Sequence, residues 1–222
     1  MKALRVLVAC EMSGRVKTAF RKRGFDAWSC DIQDSEIPND PYHIKDDVLK
    51  HLNDGWDLMI AHPPCTYLTY AGTRHWHKPG REEQRREAMA FFMACVNAPI
   101  ANIAIENPLG LPCQEYRTPD QTIHPYFFGE RQMKRTCLWL KNLPRLYWQP
   151  WDDMFGARTA TDKPQPISID ATPNHHKRYF TDAKISDAKT RSATFECVAN
   201  AMAQQWGDYV KAIVEAEHGG GN

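Results

Sequence analysis

A short apolar run that stops at two prolines and a cysteine limits how this chain can fold. Leu58–Ala61 has the length and composition of a strand that is buried on both faces. Proline lacks a backbone donor and disfavours helical geometry in the residue before it, so Pro63 and Pro64 end the run. Cys65 is therefore predicted to lie in a stiff loop at the carboxyl end of a strand, where open α/β sheets bind ligands. A thiol in that place is either a nucleophile or an incidental residue.

Short apolar runs alternate with helical patterns along the rest of the chain. Strands are predicted over residues 4–9, 27–31, 58–61, 102–105 and 136–140. Helices are predicted over residues 15–23, 81–97 and 193–215, with a short helix or turn opening at residues 46–49 and a flexible tail from residue 219. Residues 32–43, 66–80, 109–131 and 141–190 are predicted to be loop or irregular. This alternation predicts an α/β fold with a doubly wound, mostly parallel sheet.

Composition narrows the class of protein. The 222 residues suit one domain, and 28 Lys and Arg against 27 Asp and Glu give a net charge of +1, so any contact with nucleic acid must come from a local patch. No run approaches the roughly 18 apolar residues of a membrane helix, and the start lacks a signal-peptide pattern. The seven cysteines show no Cys-x-x-Cys spacing, which is typical of free thiols in a reducing cytoplasm.

Polar residues follow the first strands, and each can have either a cofactor-binding role or a purely structural one. The turn Glu11–Gly14 suits backbone contacts to a cofactor because Gly14 allows close approach, or it simply starts a helix. Asp31 at the end of the second strand suits a ribose diol, or is a solvated loop carboxylate. Asp47 can accept a hydrogen bond from an adenine amine, or cap a helix.

Four motifs in order connect these features to a known family. They are Pro64-Cys65, Glu106-Asn107-Pro108, Gln132-Met-Lys-Arg-Thr136 and Ala199-Asn200-Ala201-Met202. Residues 4–31, which precede these motifs, look like a cofactor-binding turn. In this order the four motifs resemble those of the cytosine-5 DNA methyltransferases. The whole chain is similar to the small members of that family found in bacteriophage and prophage genomes.

The resemblance implies a class I S-adenosylmethionine-dependent methyltransferase fold in a single domain over residues 1–222. It implies that Cys65 attacks carbon 6 of cytosine, that Glu106 contacts ring nitrogen 3 and the exocyclic amine, and that Lys134 or Arg135 supplies the cation near the ring oxygen. The partner would be DNA, as a duplex with a flipped base or as a single strand. S-adenosylmethionine would be held by these residues: Glu11, Ser13, Gly14, Asp31, Asp47, Pro64 and Asn200.

The chain departs from the family pattern at several points. Of the turn Phe-x-Gly-x-Gly only Gly14 is present, with Cys10 and Met12 at the other two positions. Lys134 takes the place of the first arginine of Gln-x-Arg-x-Arg, and Arg135 is one residue out of phase, so on a strand it points to the other face. Only residues 141–190 are available as a target-recognition-like insertion. Its aromatic and basic residues suit stacking on bases and binding phosphates, or form an ordinary solvated loop: Trp148, Trp151, His175, His176, Lys177 and Arg178.

Two further functions remain open from the sequence. One keeps the chemistry but acts on a pyrimidine in RNA, in a free nucleotide or in an already modified base. The other is a methyltransferase-like protein that binds nucleic acid without turnover, since the glycine turn is eroded. A zinc site built from Cys65, His62, His75 and His77 is disfavoured, because no second spaced pair completes it, and no metal is expected. The basic face of the first helix is predicted to be solvated or to lie along DNA.

Overall fold

The computed structural model describes residues 3–130, 134–148 and 193–219. Within these ranges seven strands form one sheet: β1 (Arg5–Ala9), β2 (Asp26–Asp31), β3 (His43–Lys45), β4 (Leu58–Ala61), β5 (Asn102–Asn107), β6 (Gln121–Ile123) and β7 (Thr136–Lys141). The helices are α1 (Arg15–Lys22), α2 (Arg81–Val96), α3 (Pro112–Glu115) and α4 (Glu196–Gly219). Short 3-10 helices span Val48–Lys50, Tyr70–His75 and Pro125–Phe128.

The strand order across the sheet is β3-β2-β1-β4-β5-β7-β6. The pairs from β3 to β5 are parallel, and β7 runs antiparallel to both β5 and β6. The predicted α/β class is therefore confirmed: the sheet is doubly wound and mostly parallel, consistent with the class I methyltransferase type. None of the described helices has a stretch long and apolar enough to cross a bilayer.

Both faces of the sheet are covered, which explains why β1 and β4 are apolar along their middle. Val6 and Val8 of β1 point into a core shared with α1 and α4, where Trp206 is completely buried. Leu7 of β1 points into a second core, in which Phe92 of α2 packs. Successive strand residues face opposite sides, so a strand with helices on both sides has no polar position in its middle.

Five parallel strands place their carboxyl ends along one edge of the sheet. The turn after β1 begins at Cys10, β2 ends at Asp31, and the chain leaves β4 at His62. Glu106 lies near the end of β5. The polar residues that the sequence places after separate apolar runs therefore share one edge, as expected for parallel strands.

Several predicted boundaries are wrong. β5 continues through Glu106 to Asn107, because β7 pairs beside it with Leu138 opposite Glu106. The edge strand β3 and the elements α3 and β6 were not predicted, since each is only three or four residues long and depends on pairing or packing with distant segments. The terminal helix runs to Gly219, where a tail was predicted.

The predicted recognition segment lies almost entirely outside the described residues, which end at Trp148 and resume at residue 193. Trp151, His175, His176, Lys177 and Arg178 all fall outside them. Trp148 itself is buried, with its ring 4.6 Å from that of Phe127 and 6.2 Å from that of Phe128. Trp148 is therefore a core residue, and the expectation that it stacks on a base is wrong.

Candidate active site

Cys65 lies in a loop that begins as an extension of the sheet. The backbone N–H of His62 donates to the carbonyl of Ala9 at 2.9 Å, and Pro63 is buried behind it. Pro64 and Cys65 are exposed, and the Cys65 carbonyl accepts hydrogen bonds from Leu68 and Thr69 at 3.0 Å each. The loop is thus a tight, hydrogen-bonded turn that presents its thiol to solvent.

The thiol of Cys65 is not activated by its surroundings alone. Although the residue as a whole is exposed, partial burial of the thiol raises its pKa, and the negative charge of Glu106 raises it further. The positive charge of Lys134 opposes this rise. Because the thiolate is the nucleophilic form, the thiol must lose its proton before it can attack a base.

Glu106 is a buried carboxylate surrounded by positive charge and donors. Its Oε2 lies 3.0 Å from Nδ1 of His62, and the two side chains are 10% and 12% exposed. Burial by itself raises the pKa of Glu106, but the charge of Lys134 and the hydrogen bonds of His62 and Thr136 outweigh burial and lower it. The carboxylate is therefore charged when nothing else is bound.

The loops that carry Cys65 and Glu106 are joined to each other. Asn107 Nδ2 donates to the carbonyl of Pro63 at 2.7 Å, and Thr69 forms an antiparallel bridge with Gly110. A Cβ atom at Gly110 would lie 2.0 Å from the carbonyl oxygen of Leu68, so only glycine permits this approach. The separation of the thiol and the carboxylate is consequently set by backbone contacts rather than by side chains alone.

The two candidate cations at the start of β7 are placed differently. The charge of Lys134 acts on both Glu106 and Cys65, and its Nζ lies 3.5 Å from the carbonyl of Ala193. Arg135 is exposed, and its charge acts on Cys137. Lys134 is thus the cation that shares the neighbourhood of the thiol and the carboxylate. Gln132, which begins this motif, lies outside the described residues.

The turn after β1 is occupied by contacts within the protein. The buried side chain of Glu11 accepts hydrogen bonds from the backbone N–H groups of Val16 at 2.7 Å and Lys17 at 3.2 Å, so it caps α1. Ser13 Oγ donates to the same carboxylate at 3.3 Å. Burial raises the pKa of Glu11 in spite of these bonds and the nearby charge of His62. Glu11 therefore has a structural role whether or not a cofactor binds.

The loop after β2 folds back over this turn. Gly14 has a φ of 66°, and a Cβ atom there would lie 2.6 Å from Cδ1 of Ile37. Lys17 forms a buried ion pair with Asp40, with side chains 2% and 4% exposed, and Ser35 Oγ donates to the same carboxylate at 2.7 Å. The prediction that the basic face of α1 is solvated is wrong for Lys17, because the returning loop brings a carboxylate to its ammonium group.

Two of the remaining predicted cofactor residues, Asp31 and Asp47, also lie at this end of the sheet. Asp31 Oδ1 accepts a hydrogen bond from the N–H of Gln33 at 2.9 Å, and the side chain of Ile32 beside it is 72% exposed. Asp47 Oδ1 accepts a hydrogen bond from the N–H of Leu49 at 3.0 Å and caps a 3-10 helix, which is the structural role that was predicted as its alternative. Asn200 is exposed on α4. The segment before that helix lies beside α1, where Arg15 Nη1 donates to the carbonyl of Thr194 at 3.1 Å.

Three residues of this site were not identified from the sequence. His62 was considered only as a metal ligand, although its place after β4 signals a position at the sheet edge. Gly110 and Asp40 give no local signal, because their partners are remote in the chain. In the part of the chain that the structure describes, no three His, Cys, Asp or Glu side chains converge as metal ligands.

No protein-family model and no curated protein sequence matches this chain. Among solved structures it is similar to the Entamoeba histolytica methyltransferase EhMeth, at 12% identity, with a TM-score of 0.41 over 65% of this chain. The chain spans about half the length of that protein, 54% of which is covered. A likeness this slight carries nothing about the reaction, so a function has to rest on the geometry of the site.

Proposed function

We propose that this protein transfers a methyl group from S-adenosylmethionine to carbon 5 of cytosine in DNA. One observation carries the proposal: an exposed thiol, Cys65, is held by backbone contacts beside a buried carboxylate, Glu106, and the charge of Lys134 acts on both. A nucleophile, a group that contacts the ring and a cation are the three elements that covalent activation of cytosine needs.

The residues have separate tasks in this reaction. The thiolate of Cys65 adds to carbon 6 of the ring, and the electron pair of the 5,6 double bond makes carbon 5 nucleophilic. Glu106 contacts the exocyclic amine and ring nitrogen 3, which distinguishes cytosine from thymine. After carbon 5 has gained the methyl group it loses its proton, and the thiolate leaves as the double bond re-forms. Lys134 favours the thiolate over the thiol.

The residues fit S-adenosylmethionine better at its adenosine end than at its methionine end. Asp31 suits the ribose hydroxyls, and the exposed side chain of Ile32 suits the face of the adenine. Asp47 suits the adenine amine. The turn at Gly14 is covered by Ile37, which is itself 37% exposed. The cofactor, when bound, supplies the methyl group, and the protein positions the base against it.

A basic and aromatic segment after Cys65 favours a polymeric substrate over a free nucleotide. Residues 66–86 carry five Lys and Arg against two Glu, although the whole chain has a net charge of only +1. The guanidinium of Arg81 lies 4.7 Å from the ring centre of Tyr67, and that of Arg85 lies 3.8 Å from that of Trp76. Cations held on aromatic rings in the segment that follows the nucleophile suit contacts to the phosphates and bases that flank a target.

The direct test is transfer of a labelled methyl group to duplex and single-stranded DNA. The wild type is expected to label DNA, and Cys65→Ser to lose about a thousandfold or more in rate. Cys197→Ser is the matched control, because Cys197 lies on α4, its thiol donates to the carbonyl of Pro125, and the proposal gives it no part in the reaction. With DNA that contains 5-fluorocytosine, the wild type is expected to remain covalently attached through Cys65, since fluorine cannot leave carbon 5 as a proton does. A wild type that binds the cofactor but is inert on both forms of DNA contradicts the proposal.

A variant of this function uses RNA, a free pyrimidine nucleotide or a modified base as the acceptor. Parallel incubations with these acceptors, read by mass spectrometry, separate it from methylation of DNA. Transfer to DNA alone excludes the variant, and transfer to a free nucleotide alone contradicts the role given to residues 66–86.

A second candidate is a protein that binds nucleic acid without turnover. Its support is the packed turn after β1, where Glu11 caps α1 and Ile37 covers Gly14. Calorimetry with S-adenosylmethionine discriminates between the two functions. Binding that is lost in Asp31→Ala favours the enzyme, and absence of binding together with retained affinity for DNA favours the second candidate.

A further inference from the structure

His62 contacts one buried carboxylate, that of Glu106, and its charge acts on a second, that of Glu11. Its Nδ1 lies 3.0 Å from Oε2 of Glu106, although the two residues are 44 positions apart in the chain. Its charge also lowers the pKa of Glu11, for which burial acts in the opposite sense and prevails. Its Nε2 is buried and has no hydrogen-bond partner within the described part of the chain. His62 thus lies against the carboxylate at the candidate active site, and its charge reaches the turn that caps α1.

Charged and polar groups approach this pair from several elements. Glu11 comes from the turn after β1, with Lys17 of α1 bound to it through its backbone N–H. Lys134 and Thr136 come from the start of β7, and Cys65 from the loop that follows His62. Among the side chains that contact Glu106, His62 carries an imidazole, the type of side chain most often used to transfer protons in catalysis. A threonine hydroxyl keeps its proton near neutral pH.

Cytosine needs a hydrogen-bond donor at ring nitrogen 3, and a charged Glu106 cannot provide one. Ring nitrogen 3 carries a lone pair and needs a donor, whereas Glu106 is a charged carboxylate surrounded by His62, Lys134 and Thr136. A proton must therefore arrive when the base binds, and binding excludes the water that would otherwise deliver it.

We propose that His62 is a positioning residue that orients Glu106 and supplies it with this proton. The proposal rests on the proposed function. When the base binds, the proton moves from Nδ1 of the His62 imidazolium to Oε2 of Glu106. The products are a neutral imidazole and a carboxylic acid, which donates a hydrogen bond to ring nitrogen 3. The proton returns to His62 when the methylated base leaves, so the pair is unchanged after each turnover.

Two substitutions separate the orienting role from the proton-supplying role. The amide nitrogen of asparagine occupies the position of Nδ1, so His62→Asn keeps a donor to Glu106 without a titrating group. His62→Ala removes both. His51→Asn is the matched control, because His51 Nδ1 forms a similar contact with Asp54 at 2.8 Å, with side chains 23% and 45% exposed.

The first measurement needs neither cofactor nor DNA. Carboxyl-carbon NMR of the labelled protein is expected to show the pKa of Glu106 rising in His62→Asn and His62→Ala, because the charge that helps to lower it is lost. His51→Asn is expected to leave it unchanged. An unchanged pKa of Glu106 in both His62 variants would overturn the proposal.

The second measurement is the pH profile of methyl transfer under saturating DNA. In His62→Asn the rate at neutral pH is expected to fall by about tenfold to a hundredfold, with a smaller change in KM, and the optimum is expected to move to lower pH. The shift follows because Glu106 then takes its proton from solvent. His62→Asn that equals the wild type, or one that is slower by the same factor at every pH, overturns the proton supply. A wild type that transfers no methyl group overturns the proposed function itself.

Discussion

The carboxyl edge of the sheet has two halves, one at the ends of β1 and β2 and one at the ends of β4 and β5. They differ in how their buried polar groups are bonded. At the ends of β1 and β2 three charged side chains have partners supplied by the fold: Glu11 caps α1, Lys17 pairs with Asp40, and Asp31 accepts from Gln33. At the ends of β4 and β5 two buried polar atoms form no hydrogen bond with another described residue. Nε2 of His62 and Oδ1 of Asn107 are buried without partners among the described residues.

The first group of residues has a structural role that accounts for its burial, and the second group does not. A buried polar atom without a hydrogen bond costs about 1–3 kcal/mol, and such costs concentrate where a ligand completes the bonding. The β4–β5 half therefore has the character of a site, with an exposed thiol at its rim. In the β1–β2 half several of the predicted cofactor residues already serve the fold. Four experiments test whether the two halves differ in this way.

The largest effect is expected in the β1–β2 half, where Lys17→Ala leaves the carboxylate of Asp40 buried and unpaired. Its side chain is only 4% exposed, so the free energy of unfolding is expected to fall by about 3–5 kcal/mol in urea denaturation. The matched control is Lys45→Ala, whose partner Asp34 is 81% exposed, with an expected loss of about 1 kcal/mol or less. Equal losses of unfolding free energy in the two variants would show that the buried ion pair of Lys17 stabilises the fold no more than an exposed one.

A smaller loss is expected from Gly110→Ala in the β4–β5 half. The new Cβ would lie 2.0 Å from the carbonyl oxygen of Leu68, so the two loops must separate. We expect about 1–3 kcal/mol of destabilisation, together with slower methyl transfer because Cys65 moves relative to Glu106. Gly72→Ala is the control, since its nearest neighbour would lie 3.6 Å away and a change within about 0.5 kcal/mol is expected. Full activity in Gly110→Ala would mean that the bridge between the loops does not position the thiol.

The buried carboxylates of the two halves are expected to respond to pH in opposite directions. Burial raises the pKa of Glu11 above 4.5, so the folded protein holds that proton more tightly than the unfolded chain does. Relative to Glu11→Gln, the wild type should therefore lose stability as pH rises from 4.5 to the folded pKa.

For Glu106 the sign is reversed. Burial is outweighed by Lys134, His62 and Thr136, and the pKa lies below 4.5. Relative to Glu106→Gln, the wild type should keep its extra stability above pH 4.5 and lose it as pH falls through the folded pKa. Urea denaturation of the three proteins over a pH series measures both effects, with slopes of at most about 1.4 kcal/mol per pH unit. Parallel pH dependences in the two variants would contradict the assignment.

The smallest effect is expected at the thiol of Cys65. Since its pKa is raised by burial and by Glu106 and lowered by Lys134, Glu106→Gln should speed its alkylation and Lys134→Gln should slow it. Changes of roughly two- to fivefold at neutral pH are expected, measured by mass spectrometry of the Cys65 peptide with the Cys197 peptide as internal control. Unchanged rates in both variants would show that these charges do not reach the thiol.

Local patterns predicted much of the fold. The apolar runs, the proline break before Cys65 and the helical pattern of residues 81–97 correspond to β1, β2, β4, β5, β7 and α2. Strand periodicity and breakers act over a few residues, so they can be read directly from the chain. The short elements β3, α3 and β6 could not be predicted, because their pairing or packing with other segments defines them.

The sequence by itself determined which chemical groups stand at the ends of the parallel strands, including Cys65 and Glu106, because parallel strands must end at one edge. Only the tertiary structure decided how those groups are paired. His62 meets Glu106 across 44 residues, and Lys17 meets Asp40 across 23. Contacts over such separations depend on how loops return to the sheet, and the residue types alone do not specify that return. The same polar pattern therefore yields a turn whose charged groups bind one another in one half. In the other half it yields two joined loops that hold Cys65 and Glu106.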